Sequence, residues 1–71
     1  MRNKILEIVK WCENPDWSEK LTKYTMSLSA ASIASHLEAT NTELSKSDNP
    51  KNMLYVMRGC FIDALKHKLN F

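Results

Sequence analysis

The chain has 71 residues and a formal net charge of +2, with 44% hydrophobic and 25% charged residues. This composition excludes collagen-like, low-complexity and disordered classes. One glycine and two prolines are too few turn residues for a β-sandwich or a barrel. We therefore expect a single all-α domain over residues 1–71, built as a small bundle of about four helices. A chain of this length buries only about 60% of its unfolded surface, so self-association would add useful stability.

The first predicted helix spans residues 3–13. Apolar residues recur at helical spacing on one face, and Leu6 widens that face. The members of the face are Ile5, Ile8, Val9 and Cys12. We expect Asn14-Pro15 to end the helix, because the residue before a proline is pushed out of the helical region.

The second predicted helix spans residues 17–27. Asp16 is expected to cap it by accepting a hydrogen bond from a free amide of the first turn, and Glu19 completes a pair resembling a capping box. The apolar face consists of Trp17, Leu21, Tyr24 and Leu28. Continued beyond Leu28, the same face becomes polar, so the chain is expected to break at the serine-rich segment 27–29.

The third predicted helix spans residues 30–46 and has a new apolar face, pointing to nearly the opposite side. That face consists of Ala30, Ile33, Leu37 and Leu44. The sequence leaves open whether this segment is one helix or turns near residues 39–41, since neither glycine nor proline marks a boundary there.

The fourth predicted helix spans residues 50–69. Asp48 or Asn49 is expected to cap it, and Pro50 suits the first helical position, where its missing amide costs nothing. Basic residues 66–68 suit the negative end of the helix dipole. One half of the helix is apolar and is expected to be buried: Met53, Leu54, Val56, Met57, Cys60, Phe61, Ala64 and Leu65.

A further apolar row lies beyond that buried half of the fourth helix. Tyr55, Ile62 and Leu69 follow one another at a spacing of seven, and Gly59, the only glycine, lies beside them. In one interpretation the helix is the centre of the bundle and is covered nearly all round. In the other, the row meets a second copy or another protein, and Gly59 allows close approach. Three short segments cannot easily surround so long a helix, which favours a partner or dimer interface at Tyr55, Gly59, Ile62 and Leu69.

Residues 31–44 resemble the helix-turn-helix motif of DNA-binding regulators. Small or apolar residues stand where that motif requires them: Ile33, Ala34, Leu37, Ala39 and Leu44. The resemblance implies DNA contacts from Thr40, Asn41, Thr42 and Lys46. The segment departs from the motif at Glu38, where the turn usually has glycine, and at Ser47, where an apolar anchor is expected. It also holds few of the cations that phosphate contacts need.

Motifs that would carry chemistry are absent from the sequence. It has no nucleophile elbow, phosphate loop or zinc-protease motif, so we expect no enzyme activity, cofactor or small-molecule substrate. His36 and His67 lie at no recognisable ligand spacing, and no metal site is expected. Cys12 and Cys60 lie on apolar faces of different helices, where reduced and mostly buried thiols are the expectation.

No run of about 18 apolar residues is present, so we expect no membrane span and a cytoplasmic location. The sequence favours a small non-enzymatic binding protein that acts by protein–protein contact and associates with itself. An adaptor, an inhibitor or an accessory factor of a phage or mobile element would have this size. The alternative is a helix-turn-helix transcriptional regulator with DNA as its partner.

Overall fold

The computed structural model describes residues 2–46 and 52–70, and within them it has four helices and no strand. The helices are α1 (Arg2–Trp11), α2 (Trp17–Met26), α3 (Ala30–Lys46) and α4 (Asn52–Leu69). They pack as a small bundle in which α4 lies mainly against α3, α1 also contacts α3, and α2 contacts both α4 and α1. The predicted all-α bundle of four helices is confirmed.

Helix α1 ends two residues earlier than predicted. The amides of Glu13 and Asn14 donate to carbonyls three residues back, at 3.2 and 3.0 Å, so the chain tightens into a turn before Pro15. The amide of Trp17 donates to the carbonyl of Asn14 at 3.1 Å, which closes the connection to α2. Proline thus ends the helix as expected, through a tightened last turn that precedes it.

The predicted side-chain cap at Asp16 is wrong. Asp16 stands at the N-cap of α2, but its side chain makes no capping hydrogen bond. Its backbone angles are φ −94° and ψ 19°, whereas a capping residue usually has extended angles that aim its side chain at the first turn. Ser29 does provide such a cap for α3, since its hydroxyl accepts the Ser32 amide hydrogen bond at 3.2 Å.

The segment 30–46 forms one unbroken helix. A turn near residues 39–41, the alternative that the sequence left open, is therefore not present. Two threonine hydroxyls donate to carbonyls four residues back, Thr40 to His36 at 2.8 Å and Thr42 to Glu38 at 3.0 Å. These polar side chains are thus satisfied within the helix and need no turn.

The core lies between the inner faces of the four helices. Among the described residues, nine apolar side chains are buried in it: Ile5, Ile8, Val9, Cys12, Leu21, Ile33, Leu54, Met57 and Phe61. The predicted face of α1 is buried in full, but Leu6 is 42% exposed and does not widen it. Val56, predicted to be buried, is 40% exposed, because no helix of the described chain covers that side of α4.

A polar centre that the sequence did not predict lies inside this core. His36 is 4% exposed and Thr40 is fully buried. The His36 Nδ1 lies 2.6 Å from the Ser32 carbonyl oxygen, which can only accept, so Nδ1 carries the proton. Nε2 lies 2.6 Å from the Tyr24 hydroxyl oxygen, and in the tautomer with its proton on Nδ1 it accepts a hydrogen bond from that hydroxyl. Among the described residues, no buried side-chain polar atom lacks a hydrogen-bond partner.

Candidate interaction surface

One flank of α4, next to its buried face, carries a row of apolar residues. We call this surface the outer face of α4, and it consists of Tyr55, Gly59, Ile62 and Leu69. Tyr55 is 48% exposed and Leu69 is 49% exposed, while Ile62 is half-buried. From Tyr55 to Leu69 the helix rises by about 21 Å, so the outer face runs along most of its length. The structure therefore places the predicted interface residues on one accessible surface.

Gly59 lies at the edge of this surface, beside Asp63 and Lys66. Tyr55 and Val56 lie one turn before it and Ile62 lies one turn after it, at the spacings that make neighbours on a helix. A Cβ added at Gly59 would meet no atom of the described residues within 4 Å, and the residue has no positive φ. Neither packing against the described part of the chain nor backbone conformation therefore requires glycine at this position.

Charged residues border the apolar surface. The Arg58 guanidinium lies 5.5 Å from the centroid of the Tyr55 ring, and Asp63 and Lys66 are exposed on the same helix. An apolar centre with a charged border is the usual composition of a protein–protein interface. Val56 is exposed on the other flank of α4, beyond Gly59 and Asp63, and its exposure could be found only from its position relative to the other helices.

On another side of α4, a groove lies between this helix and α2. Met26, which is 70% exposed, lines this groove together with Cys60, Ala64 and His67. At the end of the groove, the Lys68 ammonium donates to the Met26 carbonyl at 2.9 Å. Lys68 thus satisfies a carbonyl at the C-terminal end of α2, where a cation is favourable. The sequence predicts a different role for Lys68, an interaction with the negative end of the dipole of its own helix, α4.

Both cysteines are free, as predicted, with Cys12 buried and Cys60 half-buried. Burial raises the pKa of the Cys12 thiol, and the neighbouring Cys60 adds to the effect. Burial also raises the pKa of Cys60, with a further contribution from the Asp63 carboxylate. A raised pKa keeps a thiol protonated and slow to react at neutral pH.

The residues implied by the resemblance to a helix-turn-helix do not form one DNA-facing set. Thr40 is fully buried and its hydroxyl is bonded to the His36 carbonyl, so it cannot reach a groove of DNA. Asn41, Thr42 and Lys46 are exposed on α3, which continues through the position of the expected turn. The two-helix geometry that would insert a recognition helix is therefore missing from this segment.

Within residues 2–46 and 52–70, no group of three or more His, Cys, Asp or Glu side chains comes together as ligands for a metal ion. None of the helices in these ranges is both long and apolar enough to cross a membrane.

In comparisons with family models, curated proteins and solved structures, this chain matches none. The protein is therefore described by its own fold, which is a small all-α bundle with exposed apolar residues on one helix.

Proposed function

We propose that this chain is a small non-enzymatic binding protein that acts by protein–protein contact and associates with a second copy of itself through the outer face of α4. The observation that carries the proposal is the exposure of Tyr55 and Leu69, 48% and 49%, in one row of a single helix. Adaptors, inhibitors and accessory factors of this size act through such surfaces.

The spacing of the outer face supports a helix pair as the mode of contact. Tyr55, Ile62 and Leu69 repeat every seven residues, which keeps them nearly in line when two helices wrap around each other. Gly59 lies between Tyr55 and Ile62 and adds no side chain, so the two backbones can come close. A symmetric contact of this kind would cover the same residues on both copies.

A charge at the centre of the outer face tests the proposal. Ile62→Glu should give a helical monomer of slightly lower stability, because the carboxylate would have to be buried without a partner in the dimer. Met57→Glu should unfold the chain, because Met57 is fully buried in the core. Sedimentation equilibrium measures the association state of each variant, and circular dichroism measures its helix content.

Ser35→Glu is the matched control, since it introduces the same side chain at an exposed position on α3. This variant should associate as the wild type does. A monomeric wild type would refute self-association. If Ile62→Glu unfolds as completely as Met57→Glu, the outer face is part of the core and the proposed surface does not exist.

A further inference from the structure

Two aromatic rings from α1 and α2 meet at nearly a right angle around a cation of the chain itself. The ring centroids of Trp11 and Tyr24 are 5.2 Å apart, with 83° between the ring planes. The Lys4 ammonium lies 5.0 Å from each of the two centroids. At this distance the electron-rich faces of both rings attract a positive charge.

The two rings are held in place independently of Lys4. The Tyr24 hydroxyl is hydrogen-bonded to the buried His36, and the rings of Tyr24 and His36 lie edge to face with centroids 5.4 Å apart. Trp11 is half-buried and packs against the hydrophobic core. The arrangement of the two rings should therefore persist when the lysine side chain is removed, which keeps the cost of binding another cation low.

The Lys4 ammonium is also paired with a carboxylate, and this ion pair is partly exposed to solvent. Glu7 lies one turn from Lys4, and its Oε2 is 3.6 Å from the Lys4 ammonium. The side chains of Lys4 and Glu7 are 35% and 55% exposed. An ion pair this exposed holds its partners weakly, so a competing cation can displace Lys4.

We infer that Trp11, Tyr24 and Glu7 form a binding site for a quaternary ammonium head group, and that Lys4 occupies this site as an internal competitor. Aromatic faces accept no conventional hydrogen bond, so they favour a weakly hydrated cation over one that must give up hydrogen bonds to water. Choline and a trimethylated lysine side chain share this head group. The site lies on α1 and α2, away from the outer face of α4, and its existence does not depend on self-association.

The test compares two lysine variants in a Trp17→Phe background, where Trp11 is the only tryptophan and its fluorescence reports on the site. Lys4→Ala removes the internal competitor, whereas Lys10→Ala removes an exposed lysine elsewhere on α1. Choline chloride and the amide of N-acetyl-trimethyllysine are titrated into each variant at constant ionic strength. We expect Lys4→Ala to bind both probes about fivefold more tightly than Lys10→Ala, and the probe with the lower Kd identifies the source of the head group.

A neutral analogue separates charge recognition from simple apolar contact. 3,3-Dimethyl-1-butanol has the shape of choline without its charge, so it should bind Lys4→Ala at least tenfold more weakly. Glu7→Gln, added to Lys4→Ala, should weaken choline binding, and circular dichroism confirms that each variant is folded. The inference is overturned by any of three results: no saturable change in Lys4→Ala, equal affinities of the two lysine variants, or equal binding of choline and its neutral analogue.

Discussion

The hydrogen bond between Tyr24 and His36 should contribute measurably to stability, and Tyr24→Phe tests it. Phenylalanine keeps the ring and its contacts with Trp11 and Lys4 but removes the hydroxyl that donates to His36 Nε2 at 2.6 Å. Because His36 is only 4% exposed, its Nε2 would lose its partner with little access to water. An unsatisfied buried acceptor costs about 1–3 kcal/mol. Since Tyr24 is half-buried, some water can enter, and we expect a loss of about 1–2 kcal/mol.

Thermal and urea unfolding followed by circular dichroism measure this loss. For a domain of this size, 1–2 kcal/mol corresponds to a decrease in Tm of about 4–16 °C. Tyr55→Phe is the matched control, because it removes the same hydroxyl from a ring that is 48% exposed. Because Tyr55 lies in the proposed interface, both variants are compared at a protein concentration where sedimentation shows only monomer. Its free energy of unfolding should stay within about 0.5 kcal/mol of the wild type.

A double-mutant cycle then assigns the loss to the pair. Tyr24→Phe and His36→Leu are combined, and their coupling energy should be about 1 kcal/mol if the two side chains are bonded. A coupling energy near zero would show that the hydroxyl stabilises the fold in some other way. If Tyr24→Phe is as stable as Tyr55→Phe, the assignment of His36 as a satisfied polar centre of the core is wrong.

Two further predictions concern the thiols and the glycine. The pKa values of Cys12 and Cys60 are raised in the folded state, so folding favours their protonated thiols. The stability that these protonated thiols contribute is fully present below the ordinary thiol pKa of about 8.5, and it is lost as pH rises through the raised values. The free energy of unfolding should therefore fall with pH more steeply in the wild type than in a Cys12→Ala/Cys60→Ala variant, and immediate labelling of both native thiols by a thiol reagent would contradict their burial. Gly59→Ala should raise the free energy of unfolding by up to about 1 kcal/mol, since a Cβ meets nothing there, while sedimentation should show weaker self-association. Unchanged association in that variant would show that the helices do not approach closely at Gly59.

Much of the helix pattern depends on local properties and could be predicted from the sequence. Pro15 must follow a residue outside the helix, which separates α1 from α2. The change of apolar face after Leu28 requires a break, and the structure has Ser29 there as the cap of α3. The buried face of α1 follows from its periodicity alone, because a helix with one apolar side has only one way to bury it.

Local rules also failed where two of them compete. Asp16 has the side chain of a capping residue, but the turn that closes from Asn14 to Trp17 gives it backbone angles unsuited to capping. The residues at 39–41 suit a turn as well as a helix, and the outcome is a continuous α3. The expected caps at residues 48 and 49 and the start of the last helix at Pro50 lie outside the described residues.

The surface and the polar centre depend on the tertiary structure. His36 and Thr40 are polar, and sequence patterns place such residues at the surface. Burial becomes possible only because Tyr24, from another helix, supplies a donor at the right distance. Val56 lies at the edge of the apolar half of α4, and its exposure depends on where α2 and α3 pack. The sequence by itself determined which segments are helical and which face of α1 is buried, because both follow from local composition and periodicity. Only the packing of four short helices decided which apolar side chains of α4 remained uncovered, because coverage depends on neighbours that periodicity does not specify.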